Sequence, residues 1–88
     1  MITEKDAIAI VEKYLDADVR PWIAEEVILL TSEIVHEATF WVFFYNTRAF
    51  IETKSLSHAL VGNGPIVVSA HDGSLRELGT ATPWEEQI

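Results

Sequence analysis

A chain of 88 residues, 49% of them hydrophobic, can build one modest core, so a single domain over residues 1–88 is expected. Fourteen acids against six bases give a formal charge of −8, which repels phosphate backbones and anionic lipid while attracting basic partners. With no cysteine there is neither a disulfide staple nor a thiolate for catalysis or metal binding.

No apolar run approaches the ~20 residues of a membrane span. Thr3-Glu4-Lys5-Asp6 stands where a signal peptide would carry positive charge and then an apolar block. A soluble, cytoplasmic chain without nucleic-acid or membrane partners is therefore expected.

Thr3 and Asp6 have the spacing of a capping box and predict a helix start. Ala7, Ile8, Val11, Tyr14 and Leu15 recur every three or four residues while Glu12, Lys13 and Asp16 point away, giving one apolar stripe to lay on a sheet. Pro21 disfavours helical geometry at Arg20, so the helix should end by about Val19. Pro21 to Glu26 is a connection containing Trp22 and Ile23.

Val27 to Val35 reads as the first strand, with Val27, Leu29, Thr31, Glu33 and Val35 on one side and Ile28, Leu30, Ser32 and Ile34 on the other. His36 to Thr39 turns the chain antiparallel into Phe40 to Asn46, an aromatic run that fits a pleated strand. Period two puts Phe40, Val42 and Phe44 on one face and Trp41, Phe43 and Tyr45 on the other, so a central strand covered on both sides is the simplest solution. The alternative leaves the Trp41/Phe43/Tyr45 face partly open for another protein.

From Thr47 to Val61 the pattern loosens, with Phe50, Ile51, Leu56, Ala59 and Leu60 expected to fold back over the sheet. Gly62-Asn63-Gly64-Pro65 reads as a turn in which the glycines can take positive φ. Ile66 to Ala70 and Leu75 to Gly79 form a hairpin about the Asp72-Gly73 signature. Thr82-Pro83-Trp84-Glu85-Glu86 looks like a helix opening, with Thr82 as N-cap and Pro83 at the first position. The fold class is α+β: an N-terminal amphipathic helix on an antiparallel sheet of about four strands, with a short C-terminal helical turn.

Residues able to do chemistry are present but not in patterns that chemistry needs. His36, His58 and His71 lack metal-site spacing. Ser55, Ser57 and His58 lack a nucleophile elbow, and adjacent residues rarely aim at each other. The Glu25-Glu26 and Glu85-Glu86 pairs are neighbours in sequence, where acid–base work needs carboxylates facing across a cleft. Gly62-Asn63-Gly64-Pro65 has no Lys-Ser/Thr to make a phosphate loop. No enzyme, metal or cofactor is expected. Trp84, beside Glu85 and Glu86, either packs against a sheet edge or faces a partner.

Trp41-Val42-Phe43-Phe44-Tyr45-Asn46, Gly62-Asn63-Gly64-Pro65-Ile66-Val67-Val68, Asp72-Gly73, and Leu78-Gly79-Thr80 with Pro83 and Glu85 occur in that order. In these motifs the chain resembles the YrhB-like domain family, also called the immunity protein 35 family of bacterial polymorphic toxin systems. The resemblance implies an α+β domain made beside a toxin and binding it in the producing cell, although some relatives are described as chaperone-like. It carries over no catalytic residue. The expectation is an immunity protein that neutralises a cognate, basic toxin by binding, with Trp41, Tyr45, Trp84, Glu85 and Glu86 as candidate contacts. The alternative is a small chaperone-like module holding unfolded clients. Pairing of two copies through a sheet edge stays open.

Overall fold

Thr3 starts the longest element as the capping box predicts: its hydroxyl accepts the Asp6 N–H at 3.1 Å and its own N–H donates to the Asp6 carboxylate at 3.1 Å. Helix α1 runs Glu4–Asp18, and Val19 closes it by donating its N–H to the Leu15 carbonyl. The computed structural model describes residues 1–60 and 64–88.

Ala7, Val11 and Leu15 are fully buried under α1, at about 1.5–3 kcal/mol for each of the larger side chains. The last turn of α1 carries Asp16 and Asp18 and no base, an unfavourable charge for a helix C-terminus. Arg20, just beyond the end, folds back to offset it. Its guanidinium pairs with Glu12 at 2.8 Å and Asp16 at 2.9 Å, and donates from Nη2 to the Val27 carbonyl at 2.9 Å. Arg20–Trp22 is a 3-10 turn containing Pro21.

The strand expected over Val27 to Val35 is two strands, β1 (Val27–Leu29) and β2 (Val35–His36), separated by a 3-10 turn at Thr31–Glu33. The aromatic run is likewise divided at Phe44 into β3 (Phe40–Phe43) and β4 (Tyr45–Thr47). β1 pairs with β4, and β2 with β3, both antiparallel. The two arms therefore form one hairpin, interrupted at matching points, with Leu30 donating its N–H to the Phe44 carbonyl at the break.

Between the Leu29–Tyr45 and Val35–Val42 pairs the first arm has three more residues than the second, which is the length of the 3-10 turn. That odd insertion reverses the faces. Val27 and Leu29 enter the helix-side core, but after the turn Ile34 packs there and Val35 packs on the opposite side. The second arm has no insertion and keeps its period. Trp41, Phe43 and Tyr45 lie in the helix-side core, and Val42 is buried on the other face with Phe40 and Phe44 beside it.

After β4 comes a short helix, α2 (Arg48–Thr53), and a 3-10 turn, Leu56–His58. Thr47 is the one buried polar residue among those described, and it joins these pieces. Its hydroxyl donates to the His58 carbonyl at 2.6 Å and accepts the Phe50 N–H at 3.1 Å, capping α2. Asn46 Oδ1 accepts the N–H groups of Thr47 and Leu60. Of the apolar residues expected to cover the sheet from this segment, Leu60 packs against the helix-side core and Leu56 projects outward.

The expected turn at Gly62-Asn63 lies outside the described residues. Gly64 is within them, and its role is close approach: a Cβ there would sit 1.7 Å from the Leu78 carbonyl oxygen. β5 (Ile66–Ser69) and β6 (Leu75–Glu77) form the expected hairpin, each shorter than expected, β5 stopping before Ala70 and β6 before Leu78. Gly73 takes φ +74° at its tip, and Asp72 accepts the Ser74 N–H at 2.9 Å. The larger sheet has the order β2-β3-β5-β6, with β1-β4 a separate two-stranded ribbon, so the fold is α+β with the helix on an antiparallel sheet.

Candidate binding surface

The sheet is covered differently on its two faces. Against α1, Trp41 is 3% exposed and Tyr45 8%, so the face that would have to be open for them to touch a partner is closed by the helix. His36 stacks on the Trp41 ring at 5.0 Å between centroids. The Trp41 indole N–H and the Tyr45 hydroxyl have no hydrogen-bond partner among the described residues. Burial, and then the nearby Glu77 carboxylate, push the Tyr45 phenol up to about 12. Tyr14, which donates its hydroxyl to Glu77 at 2.6 Å, is also raised, by burial first and then by that hydrogen bond.

On the opposite face the cover is a strap formed by residues 79–88. Trp84 is half-buried against the cluster of Val42, Val67 and Leu78, so it packs on its own sheet. The predicted helix opening is only a 3-10 turn, Trp84–Glu86, in which Pro83 and not Thr82 holds the cap position. The turn has no side-chain cap, and Gln87 ties the strap together. Gln87 donates from Nε2 to the Gly79 and Thr82 carbonyls, both at 2.9 Å, and its Oε1 accepts the Gly79 N–H at 2.8 Å. Glu85 and Glu86 stand exposed on the fixed turn. Of the five candidate contacts, the structure groups these two with Trp84 and puts Trp41 and Tyr45 behind the sheet. A cleft of about 430 Å³ opens beside the strap, walled by Phe40, Val67 and Ile88 with Ser69, His71 and Arg76 at its edge.

A third region, at the C-terminal end of α1, holds features that hydrophobic periodicity did not single out. Glu26 and Arg48 form a two-pronged ion pair at 2.9 and 3.0 Å, which holds the Glu26 carboxyl below its usual range. His58 Nδ1 lies 2.7 Å from Glu25, tying the Leu56–His58 turn to the loop after Trp22. Trp22 itself is 82% exposed. A tryptophan in a Pro-containing connection was the available signal, but nothing in the local pattern told a core side chain from an outward one. Among the described residues no group of His, Asp and Glu is arranged to hold a metal ion, and no helix is long and apolar enough to cross a membrane.

No solved structure matches the chain significantly. The protein described as "Uncharacterized protein YrhB" of Escherichia coli (strain K12) is 35% identical over 88 residues, which is 100% of this chain and 86% of that protein. The model of the family described as immunity protein 35 matches residues 5–87. With nearly the whole length covered by that model, the chain belongs to the immunity protein 35 family.

Proposed function

We propose that this chain neutralises a bacterial protein toxin by binding it directly inside the cell that makes both, with no bond made or broken. The observation that carries this reading is the family match across residues 5–87. The physical character of the surface supports it. An inhibitor needs a preformed shape that occludes the toxin, and an excess of carboxylates hastens encounter with a basic target. The net charge is −8, and Glu85 and Glu86 are displayed on a strap that Gln87 and Trp84 hold in place. We assign Trp84, Glu85 and Glu86 to the contact surface, with Trp41 and Tyr45 supporting it from behind the sheet.

The test is co-expression with the product of the neighbouring toxin gene. Protection of the host and recovery of a one-to-one complex are expected. A host that dies as fast with the chain as without it, together with no complex, would refute the reading. Reversing the strap charges, Glu85→Lys with Glu86→Lys, is expected to weaken the complex while leaving the chain folded.

A further inference from the structure

We propose that Trp22 is the aromatic anchor of the toxin-binding surface, seated by the partner against a lysine- or arginine-bearing apolar patch, with Leu56 on the adjoining turn as a second contact. This rests on the toxin-binding reading above and assigns its main apolar contact to residues outside the strap.

The three tryptophans are used differently. Trp41 is core and Trp84 is half-buried on the outer sheet face, but Trp22 is 82% exposed and joins neither cluster. Apart from Met1, Trp22 and Leu56 (80%) are the most exposed large hydrophobic side chains among the described residues. They are brought to the same end of the molecule by the 2.7 Å contact of His58 with Glu25, three residues after Trp22.

Exposure alone says little, since single apolar residues are common on surfaces. The backbone under Trp22 is what distinguishes it. Its N–H donates to the Val19 carbonyl at 3.1 Å, Pro21 fixes the turn, and Ile23 on its other side packs on the core. Arg20 locks the turn to both α1 and β1 through Glu12, Asp16 and the Val27 carbonyl. A large ring is thus held out on a rigid mount, so little conformational freedom is lost when it is buried by a partner. Tryptophan is also the residue most enriched at interface hot spots.

The surrounding charge selects the partner. Glu12, Asp16, Asp18, Glu25 and Glu26 outnumber the bases of these segments, Lys13, Arg20, Arg48 and Lys54, and both arginines are already paired with Glu12, Asp16 and Glu26, while Asp18 makes no ion pair among the described residues. An exposed indole at an acidic end of the molecule attracts a guanidinium or ammonium twice over, through the ring quadrupole and through the net charge. An acidic partner would be repelled.

The experiment measures affinity of the purified chain, and of its Trp22→Ala, Trp22→Phe and Leu56→Ala variants, for the product of the neighbouring toxin gene in inactivated form. Each variant's thermal midpoint is recorded alongside. Trp22→Ala is expected to weaken binding at least about 30-fold with an unchanged midpoint, and Trp22→Phe to restore most of the loss. Leu56→Ala should weaken it several-fold. Wild-type affinity in Trp22→Ala, with loss in the strap variant, would overturn the assignment while leaving toxin neutralisation standing. A lowered midpoint in Trp22→Ala would make Trp22 a fold residue and overturn it too. A chain that sediments as a dimer, and as a monomer in Trp22→Ala, would give this surface to a second copy instead. Absence of binding by the wild-type chain would remove the toxin reading and this assignment together.

Discussion

At the scale of single residues the fold depends on close fits that substitutions can read out. Gly64 has the Leu78 carbonyl where its Cβ would be, so Gly64→Ala must push two backbone segments apart. The expected cost is roughly 2–3 kcal/mol, visible as a lower urea midpoint. Tyr45 is the reverse case. Its buried hydroxyl has no partner among the described residues, so Tyr45→Phe is expected to stabilise the chain by up to about 1 kcal/mol at neutral pH. The pH dependence follows from the direction of the shift. The folded state holds this phenol neutral up to about 12, above the ordinary value of 10.0. Its contribution is therefore complete below pH 10 and is lost as pH rises from there through about 12. Alkaline unfolding followed by circular dichroism should accordingly begin at higher pH in Tyr45→Phe. At the other limb, the backbone N–H groups of Thr3 and Ser74 hold Asp6 and Asp72 below 3.8, so what they contribute is present above that pH and lost beneath it.

At the scale of elements, Arg20 shows why side-chain charge and shape must be considered together. It serves α1 and β1 at once through a planar fork, with Nε and Nη2 both on the Val27 carbonyl. Lysine keeps the charge but not the fork, so Arg20→Lys is expected to cost about 1–2 kcal/mol by thermal melting. The helix itself was legible because capping, apolar spacing and Pro21 all agreed. The β5–β6 hairpin was legible from Asp72-Gly73 for the same reason. The first arm of the long hairpin was not, because Val27 to Val35 contains no Gly or Pro to mark a break, and its polar triplet Thr31-Ser32-Glu33 reads equally well as the exposed end of one strand. The division at Phe44 was hidden too, since the aromatic run keeps its period while changing sheet partners. At the surface, the sequence pointed to Trp84, Glu85 and Glu86 but passed over Trp22. Exposure of a tryptophan is decided by tertiary packing, which a local pattern does not contain.

At the scale of the whole molecule, a sheet with an apolar cluster on each face leaves the charged residues to the perimeter. Arg20 and Arg48 are engaged with their own acids, and the remaining carboxylates set the outward field. If the partner is a basic toxin, the rate of complex formation should fall about tenfold or more between ~0.05 and ~0.5 M salt, with a much smaller change in dissociation. Stopped-flow mixing measures both. Salt-independent association would argue for a neutral partner surface.

The three extra residues on the first hairpin arm also bear on how this gene can vary in length. Because the turn at Thr31–Glu33 holds an odd number of residues, it decides which of Ile34 and Val35 meets the helix and which meets the strap. Losing or gaining one codon there exchanges the two sides for everything downstream in that arm, whereas a change of two leaves them as they are. Insertions and deletions that survive at this point should therefore come in pairs.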